Sequence, residues 1–225
     1  MVWSLISKKP TRGTSLLALF IDIEEKWREG FREWLERDMF TARLKIGFRA
    51  CASYNILSSV SDLSSPSSKY LTVYEVDTLG DLYSSPYQNL RKFRDKTDLE
   101  FHERFINPHR YTLNWIGPEL SGGGKSFSRF LQIDRFRIPE DNIQNFNSWL
   151  VDQYFPYCDE ESRIERVRRY FSIEGEKLHF LLHEFSDIGL LQDKSWSNMQ
   201  RDSAWSEVDW FAGMPTVYER VVHAH

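Results

Sequence analysis

The sequence predicts an α+β fold built from two tandem copies of one β-α-β-β-α-β unit, at residues 14–117 and 127–223. Three observations point there. Short apolar runs ending in Ile-Asp recur in the two halves, a Phe-x-x-Trp-Leu stripe follows each run, and a later strand-like run ends in Glu in both. The same matches in the same order mark an internal repeat.

The first strands are Leu17–Asp22, laid over Arg129–Asp134; both are apolar runs of strand length. The first helices carry Trp27, Phe31, Trp34 and Leu35 in one copy and Ile143, Phe146, Trp149 and Leu150 in the other, at helical spacing. Second strands fall at Phe48–Leu57 and Ile164–Ile173. Third strands fall at Lys69–Glu75 and Lys177–Glu184. Ser85 and Pro86 read as N-cap and first residue of the next helix, aligned with Lys194-Ser195-Trp196. Tyr111–Trp115 and Thr216–Arg220 close the units. Strand, helix, strand, strand, helix, strand is the split β-α-β, ferredoxin-like order. One such unit leaves a sheet face bare, and two units packed sheet to sheet would cover it.

Residues 118–126 form a Gly-rich linker that ends in Gly124-Lys125-Ser126. A phosphate-binding loop would need another glycine where Glu119 stands, so the stretch reads as a connector. Ser58–Ser68, with its many serines, reads as a mobile hairpin loop. The net charge of −4 argues against a nucleic-acid partner. The one basic cluster, Arg163, Arg166, Arg168 and Arg169, is flanked by acids and reads as a solvated, salt-bridged strand end. Cys51 and Cys158 suit no metal site or disulfide framework and fit a reducing cytoplasm. No apolar run is long enough to span a membrane. No dinucleotide, haem-attachment or nucleophile-elbow motif appears, and no cofactor is expected. Aromatic residues make up 15%, enough to line a ligand cavity as well as fill a core.

Strand alternation sorts the candidate site residues. If Leu71, Val73, Phe180 and Leu182 meet the helices, then Tyr70, Thr72, Tyr74, His179 and His183 face the space between the sheets. His179 and His183 are candidate general bases, since histidine exchanges protons near neutrality, or satisfied interior residues. They stand about 13 Å apart along a strand, too far to share a metal. Tyr74 and Glu75 join them as catalytic candidates. Glu75 and Glu184 end equivalent strands, as interior carboxylates or as rim residues paired with cations. Arg49, Tyr70, Thr72 and Glu184 are candidate substrate contacts, with Arg49 suited to a carboxylate or enolate. Asp22 and Asp134 end the first strands, where turn roles are common.

Trp34–Leu44, Gly47–Ala50, Lys69–Glu75 and Ser84–Tyr87 together resemble the EthD-like branch of the dimeric α/β-barrel superfamily, over nearly all of the first unit and more weakly over the second. The resemblance implies an intramolecular barrel of the kind relatives form by dimerising, in a monomer or a homodimer. It also implies cofactor-free acid-base chemistry, as in lyases, cyclases, isomerases and monooxygenases, on an apolar, aromatic or polyketide-like compound held between the sheets. Many relatives carry a histidine at the end of the first helix, where this chain has Met39 and Tyr154. That departure leaves a non-catalytic binding or pathway-accessory protein as the alternative, and a protein-interaction module using sheet edges as a third.

Overall fold

A computed structural model describes residues 13–57, 68–121, 127–211 and 215–225, with the side chains of 118–121 outside the description. The serine-rich stretch therefore lies outside the described residues, except for Ser68. The first unit contains β1 (Ser15–Asp22), α1 (Arg28–Trp34), α2 (Phe40–Lys45), β2 (Ala50–Ile56), β3 (Tyr70–Val76), α3 (Ser85–Lys92), α4 (Lys96–Glu103) and β4 (Ile106–Ser121). The second contains β5 (Phe130–Arg137), α5 (Ile143–Trp149), α6 (Phe155–Glu160), β6 (Ile164–Glu174), β7 (His179–Phe185), α7 (Lys194–Gln200), the short β8 (Asp209–Trp210) and β9 (Thr216–Ala224). β4 runs through the first part of the expected linker, and only 122–126 fall outside the description. The cap of α3 is Ser84, one residue earlier than expected, with Ser85 and Pro86 in the first turn. β9 continues to Ala224 and pairs His223 with Ala52.

Within each unit the strand order is that of a ferredoxin-like sheet: β4-β1-β3-β2 and β9-β5-β7-β6. The two sheets also join edge to edge, through β2–β9 and β4–β6, so eight antiparallel strands close into a barrel. Closure leaves neither half with a free edge along those strands. The joining helices lie outside, and each first helix passes through a π-helical segment, Leu35–Met39 or Leu150–Tyr154. That shared irregularity sits at the same place in both copies, 115 residues apart (150 − 35).

Strand pairing fixes the correspondence between the halves. Glu75 pairs with Leu16 and Ala50, and Glu184 pairs with Leu131 and Arg166. Leu16 therefore corresponds to Leu131, and the overlay of Ile21-Asp22 on Ile133-Asp134 is three residues out of register. An odd slip exchanges the two faces of a strand. Asp134 corresponds to Leu19, not to Asp22.

The inward face is also the reverse of the expected one. Leu71, Val73, Phe180 and Leu182 pack inside the barrel with Leu16, Phe20, Ala52, Tyr54, Tyr111, Tyr170 and Tyr218 from both units. Tyr70 and Tyr74 lie with Phe31, Trp34 and Met39 under the helices of the first unit. Leu181, in step with His179 and His183, packs under those of the second. The space between the sheets is thus filled by these side chains, which displaces the expected ligand site to the outer, helix-covered faces.

Candidate functional site

At one end of the interior, Glu75 and Glu184 meet Arg166 and Arg168, all at most 3% exposed. Arg168 reaches Glu75 at 3.0 Å and Glu184 at 2.8 Å, and Arg166 reaches Glu184 at 2.6 Å and Glu75 at 3.8 Å. Burial alone would push the Glu184 carboxyl up, but Arg166 and Arg168 outweigh it and hold it below the ordinary range. The basic cluster is therefore no solvated strand end. Only Arg163, paired with Glu161 and Asp193, behaves as expected. Ala50 and Ala52 hold the positions in β2 that Arg166 and Arg168 hold in β6. Their small side chains leave room for the guanidiniums across the barrel. This is an ion-pair knot between halves, and Glu75 and Glu184 are its acids.

Arg49 precedes β2, half-exposed, and pairs with Asp77 on the surface, outside the lining of the cavity around Tyr70. Tyr74 is buried against Phe40 and Phe48, with the Arg43 guanidinium 4.9 Å from its ring. Burial raises its pKa. Thr72 lies beneath the first helix beside Ser53, their hydroxyls 3.5 Å apart.

Tyr70 has a different setting. It lines a cavity of about 250 Å³ between α1 and the sheet of the first unit, with Phe31, Leu35 and Val222 as apolar walls and Ser53 and Asn55 on the floor. Glu25, Arg28, Glu29 and Arg32 stand on the helical side. Burial raises the Tyr70 pKa, against the Arg28 charge, so its hydroxyl is neutral at physiological pH.

His183 is fully buried in the second unit. Its Nε2 lies 2.8 Å from the Tyr154 hydroxyl, to which Gln200 donates at 2.8 Å. Gln132 donates to both Gln200 and Asp134, at 3.1 and 2.9 Å. With Gln200 as donor, the phenol proton goes to Nε2 and the imidazole proton sits on Nδ1. Nδ1 faces Asp134 Oδ2 at 3.6 Å, too long for a hydrogen bond, and the Gln132 backbone also acts on the His183 ring. Burial pushes Asp134 up to about 7 and His183 down to about 3. The first unit places Met39, Leu17, Leu19 and Tyr74 at the corresponding positions, so this network belongs to the second unit alone. Sequence reading singled out His183 as a candidate, and named Tyr154 only where relatives carry a histidine. Gln132 and Gln200 carried no signal, and Asp134 was hidden by the slipped overlay.

The two shifts act on stability with opposite sign. Folded Asp134 keeps a proton that the unfolded chain releases above its ordinary pKa, so its contribution falls as pH rises from about 4 to 7. Folded His183 refuses a proton that the unfolded chain accepts, so its contribution falls as pH drops from 6.5 towards 3. Asp134→Asn removes the first effect. It is expected to be more stable than the parent at pH 8 by about 2–4 kcal/mol, with that advantage gone near pH 4. Urea unfolding at both pH values checks this, and an equal difference at the two would show that Asp134 titrates normally.

His179 is half-buried, stacked on Phe136 at 5.6 Å and 3.3 Å from the Arg169 guanidinium. Burial, and then the Arg169 charge, lower its pKa to about 4. The structure thus separates His179 from His183 and brings neither to the Tyr70 cavity. Among the described residues no group of three potential metal ligands occurs, and no helix is long and apolar enough to cross a membrane. Both cysteines are free and buried.

No family model and no curated protein sequence matches the chain. Solved structures do. A candidate monooxygenase from Fusobacterium nucleatum has a TM-score of 0.63 at 7% identity, covering 95% of this chain and 95% of that one. A candidate monooxygenase from Lactobacillus acidophilus has a TM-score of 0.59 at 9% identity, covering 94% and 96%. An anthrone oxidase-like protein has a TM-score of 0.57 at 11% identity, covering 95% and 93%. At these identities the likeness shows the fold, and the chain has the α+β fold of the dimeric α/β barrels, closed strands inside and helices outside.

Proposed function

We propose that the protein binds a small, flat, partly apolar molecule in the cavity of the first unit. The observation that carries this reading is the 250 Å³ space itself, apolar on its walls and hydrogen-bonding on its floor. Its size suits one or two fused rings, below the usual drug-sized pocket. Phe31 and Tyr70 supply flat surfaces, while Ser53, Asn55 and the Tyr70 hydroxyl orient a polar substituent. Of the residues expected from sequence to contact substrate, Tyr70 keeps that role and Thr72 supports it through Ser53. Resemblance in fold to monooxygenase-type and anthrone oxidase-like structures supports a small aromatic ligand.

Titration with 1-naphthol, followed by its fluorescence, tests the reading. Ser53→Leu fills the floor and is expected to weaken binding at least about tenfold, and Tyr70→Phe about fivefold through one lost hydrogen bond. Unchanged affinity in both variants would overturn it.

Catalysis without a cofactor is the second reading, favoured by the buried approach of His183 Nδ1 to Asp134 Oδ2 beside the Tyr154 hydroxyl. It requires an opening that lets substrate reach the Tyr154 hydroxyl. His183 and Tyr154 would then exchange protons with the ligand, with His179 as a more exposed base. Turnover that survives both Tyr154→Phe and His183→Gln would remove it.

A further inference from the structure

Pseudo-symmetry shows what stands in the second unit where the first has its cavity. Ser53, Asn55, Tyr70 and Arg32 correspond to Arg169, Phe171, His179 and Asn147. The cavity floor has thus become a guanidinium. Arg169 is 6% exposed, and among the described residues it forms no ion pair. Its partners there are neutral: Asn147 Oδ1 at 2.6 Å and His179 Nδ1 at 3.3 Å, with Nε unpartnered. Burial without a compensating carboxylate lowers even this guanidinium, to about 10.

Filling space does not account for this choice. A buried, uncompensated charge costs several kcal/mol, which a methionine or leucine in the same place would avoid. The other buried arginines of β6 each meet glutamates. The surroundings also remain within reach of solvent, since Asn147, Phe171 and His179 are half-buried and Ile143 is exposed. Phe171 meets the His179 ring edge-on at 5.1 Å, and Phe136 stacks beneath it. A guanidinium beside such rings suits a planar anion, its charge on Arg169 and its ring against Phe171 or His179.

We infer that the second unit holds an anion site centred on Arg169, for a small aromatic carboxylate. Arg169 supplies the countercharge, and His179, neutral while it accepts from Arg169, adds its Nε2 proton as a donor. Asn147 holds the guanidinium in plane. The site is separate from the cavity around Tyr70 and stands whether or not that cavity binds a ligand.

Benzoate, phenol and inorganic phosphate, titrated into the full chain at pH 7, form the test. The readouts are the His179 ring resonances and the midpoint of thermal unfolding. Benzoate is expected to shift the His179 signals and raise the midpoint, with phenol and phosphate at least about tenfold weaker. Arg169→Met is expected to abolish the benzoate response without lowering the midpoint of the ligand-free protein. Arg169→Lys, which keeps the charge and loses the planar fork, is expected to weaken it about tenfold, and serves if the methionine variant does not fold. Ser53→Leu is expected to leave benzoate binding intact. A silent His179, a response unchanged by Arg169→Lys, or phosphate binding as well as benzoate would overturn the assignment.

Discussion

Arg168→Met is expected to cost the folded protein about 3–5 kcal/mol, measured as the free energy of urea unfolding. The guanidinium is 1% exposed and touches carboxylates from both halves of the chain. Its removal leaves Glu75 and Glu184 fully buried with Arg166 as their chief remaining countercharge, and a buried carboxylate without a partner either pays desolvation or takes up a proton. The loss should therefore shrink as pH falls and the glutamates are protonated. Adding Glu75→Gln to Arg168→Met is expected to restore part of the stability at neutral pH. Arg129→Met provides the contrast, because the Arg129–Glu219 pair is exposed and worth about 1 kcal/mol at most. If the two single variants lost the same amount, the interior knot would be no drier than the surface.

The second large effect is expected at Trp205, on the turn Ser203–Glu207 that Asp202 caps. The ring is 4% exposed and lies within 5.1–5.7 Å of the rings of Trp149, Trp210, Phe146, Tyr154 and Phe136. It joins the first helix of the second unit, the sheet and β8. Trp205→Ala should cost about 3–5 kcal/mol, since the removed ring leaves a cavity that its rigid neighbours cannot close. Near-ultraviolet circular dichroism should lose much of its intensity as the coupled tryptophans separate. Trp27→Ala, a partly exposed ring covered by Arg104 at 3.7 Å, should lose under about 1.5 kcal/mol. Equal losses would show that the cluster rearranges to fill the gap.

The order of elements was legible because helices and strands leave different periods in a sequence, and because the chain states its pattern twice. Which strand face points inward was not legible. A strand covered on both sides has no polar face to betray solvent, and Tyr70–Val76 is buried at every position. Tyrosines and threonine looked like the interior set by polarity, yet they pack under helices while Leu71 and Val73 fill the barrel. The arginines misled for a related reason. Charges in a row read as solvated unless their partners are known, and Glu75 lies 93 residues before Arg168. Of the candidate site, Tyr70 and His179 were visible as residues that could hold a ligand. Arg169 was not, because only the pairing of β6 with β7 reveals that it replaces a serine on a cavity floor.

The alanine pair of β2 and the arginine pair of β6 make the two halves complementary in charge. A barrel closed by two copies of the first half would trap two glutamates with no cation from these positions. One closed by two copies of the second half would set four guanidiniums against two carboxylates. Each leaves two uncompensated charges buried in the interior, whereas the mixed pairing is neutral. Like cannot pair with like: each half has become the specific counterpart of the other, and their covalent linkage guarantees that every barrel closes with one of each.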